Sequence, residues 1–594
     1  MDPLSVAGLA ISAGGIAFQI LGGCIKGFVL LSYAHGFGKD SITYHCMLNL
    51  QELQLVEWSQ RAGLLQKPPC LDPRLSESVV CAVLRELQSL ILDTSKLKAR
   101  YKMTYTVEPV SSSELQSQSD DAKFSASLFK DAVSDDIRRD IMSRAGVIES
   151  NATWPKRVWW AAVDRNRFQE LIQNIRMLTT ELWRLLDPLR QDDMSKILQI
   201  LLCHVIGMSE SLDSVYAIQQ ALLQSSAGDH GQFDASALAS VANLKFRSMQ
   251  LSSGKQVVPD SIVDGSSLDG SADSLDREEG EVFQSEVDIE SITNFAPLKN
   301  NEAMGIATYK GMSVFIEQKT LPSMSKSKLL QRAKDLAVLL SASKDPSFHS
   351  LRCCGLALNS TKTNLAFIFD LPSSLSVSQA PSPPSSHLIS LRNIFSLSPS
   401  ITTRVSLALK LLESLRWFHA ANWLHKDLRS EHILFPVTDS KPDLTRPIIA
   451  GFAFSRADTP AAISEQPSSD WQRDLYRHPD AMGEPTTSFT KDKDIYSLAT
   501  VLVEIGEWRS LKSILGSLMD TRRYDCSLIE LSKVKPWLEG KGVEGLKFRI
   551  GDVYSGIVGM MLANIVPERW QEGEGVRQAG VLDTGVRELS KCVI

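Results

Sequence analysis

Apolar side chains recur at helical spacing through the first 223 residues, and the pattern changes to strand-like alternation only near residue 296. From Leu4 to Ile25 no residue carries a formal charge. Leu4, Ile11, Phe18, Ile20 and Leu21 are interleaved with Ala and Gly, which predicts a helix apolar nearly all round. Glycines between Gly8 and Gly27, among them Gly23 and Gly27 one helical turn apart, weaken that helix in water and permit close backbone approach. Such a helix needs burial, and the core of a helical bundle is favoured over a constitutive membrane span. Further helices are expected over Ser41 to Gly63, Leu75 to Leu97, a segment entered through Val158 to Phe168 and running to Leu186, and Met194 to about Leu223. Residues 104–125 are Ser-rich and read as a long loop. With no strand alternation in this half, residues 1–223 read as an all-α bundle.

Residues 224–295 change character. Between Asp260 and Glu290 eleven acidic residues stand against one basic residue, Arg277. Such a stretch cannot bury enough apolar surface to offset its ordering entropy, so a disordered acidic Ser/Gly-rich linker is expected. From Ala296 the chain alternates: Ala307–Tyr309 and Val314–Ile316 read as strands around a turn at Gly311, Lys328–Leu340 as a helix, and Cys353–Leu358 and Leu365–Phe369 as strands. Pro372–Ser386 is a Ser/Pro-rich insertion, and beyond Leu388 the pattern is mainly helical. The expected organisation is a bundle at 1–223, a linker at 224–295, an α+β two-lobed unit at 296–568 and a tail at 569–594.

Composition narrows this little. Of 594 residues, 43% are hydrophobic and 22% charged, and the net charge of −6 gives no support to nucleic acid as a partner. The nine cysteines show no zinc-type spacing and read as reduced thiols of a cytoplasmic protein. No basic residue precedes Leu4, so a cleaved secretory signal is not expected.

The opening Asp-Pro-Leu-Ser-Val-Ala-Gly-Leu-Ala-Ile-Ser-Ala-Gly-Gly-Ile, then Gly36-Phe37-Gly38-Lys39-Asp40, Leu53-Gln54-Leu55-Val56-Glu57-Trp58, and Trp160-Ala161 with Asp164 and Phe168, together resemble the HeLo domain. This is the prion-inhibition and propagation domain of fungal HET-S-type incompatibility proteins. The resemblance implies a helical bundle whose apolar N-terminal helix, through Leu4, Ile11, Phe18, Ile20 and Leu21, enters a membrane and kills the cell.

A second resemblance lies in His425-Lys426-Asp427-Leu428-Arg429-Ser430-Glu431-His432, which is similar to the protein-kinase catalytic loop H-R-D-L-x-x-x-N. The resemblance puts Asp427 in the position of the base, with Arg429 beside it, and His432 in place of the metal-binding Asn. Gly451-Phe452-Ala453 falls where kinases carry Asp-Phe-Gly, so His432 and Gly451 occupy both usual metal-ligand positions. Asp494 matches the helical Asp that anchors the catalytic loop, and His425 and Phe452 match structural positions. Lys319 is the candidate for pairing ATP phosphates, and Asp335 its candidate helix partner, because no glutamate occurs between Glu317 and Glu413. No G-x-G-x-x-G cradle is recognisable between Gly305 and Gly311. A hydrogen-bonding surface role is expected for His432.

What the fold needs survives, and what ATP and magnesium need is missing, so a pseudokinase is expected, with ATP bound at most without a productive metal. The pairing resembles that of animal mixed-lineage kinase-domain-like proteins. It implies a cell-death or heterokaryon-incompatibility effector, cytoplasmic at rest and recruited to the plasma membrane. An upstream protein sensor, a lipid membrane and, in the active state, further copies of the chain are the implied partners. An active Ser/Thr kinase using Lys319 and Asp427 with altered metal use is the alternative, and a chain permanently anchored through Leu4 to Ile25 is a third reading.

Overall fold

The computed structural model describes residues 14–32, 41–101, 103–107, 133–148, 158–161, 165–226, 234–253, 284–321, 326–371, 387–438, 441–458, 470–483, 488–518, 527–566 and 580–593. Two compact units emerge, residues 1–242 and 243–594. Each is taken by itself.

The first unit is helical: α1 (Gly15–Ser32), α2 (Ser41–Arg61), α3 (Glu77–Leu92), α4 (Thr94–Tyr101), α5 (Asp135–Arg144), α6 (Arg165–Arg184), α7 (Pro188–Met208), α8 (Leu212–Ser226) and the first turns of α9 (Ala235–Ser252). Helix α1 packs against α2, α3 and α5. The single helix expected over Leu75 to Leu97 divides at Asp93, whose carboxylate accepts from the amides of Ser95 (3.0 Å) and Lys96 (3.2 Å) and so starts a new helix. The run from Met194 to Leu223 likewise divides, α7 ending at Ser209. Pro188 after the N-cap Asp187 starts α7 six residues earlier than the apolar pattern suggested. Helix α5 lay outside every expected helix. Its Arg138 forms a two-pronged ion pair with Glu52 of α2 (2.8 and 2.7 Å), which gives that buried carboxylate its counter-charge.

Two strands correct the all-α expectation. Thr104–Val107 (β1) pairs antiparallel with Val158–Ala161 (β2), Thr104 opposite Ala161 and Val107 opposite Val158. Four residues are too few for alternation to register against the neighbouring helical spacing.

The second unit opens with the last turns of α9 and a six-stranded sheet of order β3-β7-β8-β6-β5-β4. Its strands are β3 (Gln284–Asp288), β4 (Thr293–Leu298), β5 (Asn301–Tyr309), β6 (Met312–Thr320), β7 (Cys353–Leu358) and β8 (Asn364–Asp370). All neighbours are antiparallel except β3 against β7. Lys310 and Gly311, both at positive φ, turn β5 into β6. Helix α10 (Lys326–Leu340) follows β6 and lies against β7. The linker expected at 224–295 therefore holds α9, β3 and the start of β4, while its most acidic part and the insertion expected at Pro372–Ser386 lie outside the described residues. Glu286, counted in the acidic run, is a strand residue held by Lys334 of α10.

The rest of the unit is mainly helical, with α11 (Ile401–Ala420), α12 (Lys491–Glu507), α13 (Val543–Ile550), α14 (Asp552–Ala563) and α15 (Val581–Ser590) as its principal helices. The expected tail at 569–594 carries α15, which packs on α11 and α14 through buried Val586 and Leu589. The tail's end is thus part of the fold.

Candidate functional site

The loop after α11 is held from below by one carboxylate. Asp494, in the first turn of α12 and fully buried, accepts from the backbone N–H of His425 (2.7 Å) and of Lys426 (2.8 Å). Those bonds hold Lys426 at φ +71°, a left-handed conformation that a lysine does not adopt without such restraint. His425 Nε2 meets the carbonyl of Ala450 (3.1 Å), and the Phe452 ring lies between His425 (4.7 Å) and Phe418 of α11 (5.5 Å). His425, Phe452 and Asp494, expected as structural residues, are brought together here.

Above that floor the chemistry is closed. His432 is buried, not on the surface: the chain turns back after Asp427 and drives the imidazole inward. Its Nε2 faces an Arg429 guanidinium nitrogen at 2.8 Å and its Nδ1 the Asp427 carbonyl at 2.7 Å. Because a guanidinium only donates, Nε2 is the acceptor and Nδ1–H the donor, so the ring is neutral. Burial together with the nearby Arg429 pushes its pKa down to about 3. Neither nitrogen retains a lone pair for a metal. Gly451 sits at φ +89°, and any Cβ there would lie 2.1 Å from His432 Nδ1, in hard overlap with the ring. The imidazole fills the space that an Asp at 451 would occupy.

Asp427 is buried beside Arg429, whose Nε lies 3.5 Å from Oδ1. Burial alone would raise its pKa, but the guanidiniums of Arg429, Arg473 and Arg477 outweigh that and hold the carboxyl well below the usual range. A carboxylate so stabilised is a poor proton acceptor. Arg473 and Arg477, near the end of the segment that follows residue 470, were not among the expected site residues.

The strand β6 supplies a further correction. Glu317, not Lys319, points at the centre of the site: its carboxylate accepts from the Gly451 amide at 2.7 Å and also faces the amides of Phe452 and Ala453. Its second oxygen is buried without a hydrogen-bond partner. Burial, aided by the Asp427 charge, raises its pKa to about 7. Lys319, two residues on and half-buried, donates to the Ala453 carbonyl (2.9 Å) and lies over the Phe454 ring (4.2 Å). Asp335 does not pair with Lys319; it accepts from Gln331 on its own helix at 2.9 Å, because one turn of α10 brings that amide closer than the strand.

In the first unit, α1 presents a different arrangement. It is the described helix long and apolar enough to cross a membrane. Phe18, Ile20 and Leu21 are buried within the bundle, while Leu4 and Ile11 lie outside the described residues. Its glycines are contact surfaces. A Cβ on Gly27 would come within 2.6 Å of Ile91 on α3, one on Gly23 would meet Gln88, and one on Gly22 would meet Ala145 after α5. Cys24 Sγ donates to the Leu84 carbonyl of α3 at 3.4 Å. The guanidinium of Arg144 caps the Phe18 ring at 4.7 Å.

Residues 8–215 match the HeLo family, described as prion-inhibition and propagation. The match covers α1 to α8 as far as the start of that last helix, and no curated protein matches the chain. Within the HeLo region, the motif Gly36–Asp40 and Asp164 lie outside the described residues, whereas Trp58 and Phe168 are buried core, Phe168 meeting the Tyr44 ring edge-on at 5.5 Å. Of the residues that carried the resemblance, Leu53, Leu55, Val56, Trp58 and Phe168 are buried core of the helical unit, and most of the opening run also lies outside the described residues.

Proposed function

We propose that this chain is a fungal-type cell-death or incompatibility effector in which a kinase-like unit without phosphotransfer activity controls a membrane-targeting HeLo bundle. The observation that carries the reading is α1: a helix apolar enough for a bilayer, lying under a HeLo match, and buried in the bundle with its glycines set closely against α3 and the end of α5.

Support for the kinase-like half comes from topology and from one constellation. The order β4-β5-β6-β8-β7, with a helix after the third of these strands in sequence and a helical half to follow, suits a two-lobed kinase-like architecture. A helical Asp holding an H-x-D loop by its backbone suits it too. ATP with magnesium does not fit the residues present. Phosphoryl transfer depends on metal to neutralise developing charge. Here His432 has spent both nitrogens, Gly451 has no ligand to offer, and the Glu317 carboxylate takes the backbone amides of 451–453. The unit is then a sensor that favours one state of the bundle over another.

The chain rests in the cytoplasm and its target is the plasma membrane. Dye-loaded anionic vesicles test this: residues 1–242 leak them and the full chain does not. Leu21→Lys, which places a charge on the apolar face, abolishes leakage. Intact vesicles under a fragment that circular dichroism shows to be helical would overturn the proposal.

A further inference from the structure

A cavity of about 380 Å³ lies in the second unit, away from Asp427 and Glu317, between α10, the last turn of α9 and the segment Ser455–Ala457. That volume lies within the ordinary range of small-molecule sites. Its inner wall is apolar, made by Leu336 and Leu339 of α10, Leu251 of α9 and Trp423. Its polar lining is unbalanced. Lys328, Arg332, Arg456 and Asp335 are its charged residues; Arg332 and Arg456 donate to backbone carbonyls, so exposed Lys328 is the cation that a ligand meets.

We propose that this cavity is a binding site for an anionic amphiphile, a single apolar chain or flat apolar body ending in one carboxylate or phosphate group. The apolar body lies against Leu251, Leu336, Leu339 and Trp423, and the acidic head meets Lys328 at the rim. Leu251 and Ser248 belong to the C-terminal half of α9, so a bound molecule adds contacts between that half and α10. Arg332 already braces the far wall by donating to the carbonyl of Ser455 at 3.1 Å, so the segment after residue 454 is tied to the same helix that the ligand would touch. The site is a place where a metabolite or lipid could set the second unit's state without any nucleotide. The inference does not depend on the HeLo bundle permeabilising membranes.

The test uses the full chain and three probes below their micelle concentrations: dodecanoate, dodecyl phosphate and dodecanol, read by isothermal calorimetry and by the shift in melting temperature. One molecule of an anionic probe binds per chain, and dodecanol binds about tenfold more weakly or not at all. The comparison of the two acids distinguishes a carboxylate ligand from a phosphate one. Lys328 is exposed, so Lys328→Glu leaves the fold intact and weakens the anionic probes about tenfold while sparing dodecanol. Leu251→Trp, at a half-exposed position, fills the cavity and abolishes binding of all three. No saturable binding by the full chain would overturn the proposal. So would binding unchanged in both variants, which would place the amphiphile on α1 or elsewhere in the bundle, or dodecanol binding as tightly as the acids.

Discussion

Replacing Glu317 by Gln isolates a cost that the second unit carries. The Glu317 carboxyl is fully buried, one oxygen is unpartnered, and its pKa is raised from an ordinary 4.5 to about 7. A carboxyl whose pKa is higher folded than unfolded holds its proton more tightly in the folded state. Folding is therefore unpenalised below pH 4.5, and stability falls as pH rises from 4.5 towards 7, then stays level. The gap between 4.5 and about 7, at about 1.36 kcal/mol per pH unit, amounts to about 3 kcal/mol at most. Gln keeps the acceptor for the Gly451 amide and has no charge to bury. Urea unfolding of both proteins at pH 5 and pH 8, following the transition of the second unit, reads the effect. Glu504, also raised to about 7 by burial, gives the wild type a slope of the same sign, and half-buried His349, lowered to about 4, gives the opposite one. The difference between the two proteins removes both. Glu317→Gln should be stabilising by about 2–3 kcal/mol more at pH 8 than at pH 5. An equal difference at the two pH values, or a mutant weaker at pH 8, would refute the placement of that carboxylate.

Other outcomes follow from the same geometry. Gly451→Asp should lower stability by about 2–4 kcal/mol, from the positive φ and the overlap with His432, and His432→Gly in the same chain should restore part of it, as melting temperatures will show. ATP with magnesium or manganese should shift the melting temperature no more than ATP alone, and Asp427→Asn should remove no phosphotransfer. Metal-dependent stabilisation with autophosphorylation lost in that variant would establish the active-kinase alternative. In the first unit, Arg138→Ala leaves the buried Glu52 carboxylate, 3% exposed, without its counter-charge, and should cost about 3–5 kcal/mol in urea unfolding. Glu52→Met with Arg138→Met should recover most of that loss.

The sequence made some of this plain and hid the rest for physical reasons. The apolar, glycine-bearing α1 was legible because nothing but burial suits such a pattern. Strands β7 and β8 were legible because their residues are apolar over a strand's length. Strands β1 and β2 were hidden because pairing between residues 104 and 161 leaves no local signal. Helix α15 carried a signal that was passed over: Val581, Leu582, Val586 and Leu589 recur at helical spacing. At the site, a loop motif and a helix motif led to His425, Asp427, Phe452 and Asp494, which the structure brings together. Lys319 was preferred for its charge. Yet Glu317, two residues earlier on the same strand, is the side chain that reaches the Gly451 amide. His432 was read as a surface residue because its burial depends on the absence of a side chain at Gly451, nineteen residues away in the chain.

The central claim is that α1 exchanges the bundle for a bilayer, and a fluorophore on α1 tests it directly. Gln19 is exposed on α1, so Gln19→Cys can carry an environment-sensitive dye without disturbing the core, once exposed Cys70 and Cys592, and Cys526, which lies outside the described residues, are replaced by Ser. On anionic vesicles containing a quencher in the acyl region, residues 1–242 should show a blue-shifted emission that the quencher abolishes, and the full chain should show neither. Vesicle leakage with the dye still in water and unquenched would contradict the account.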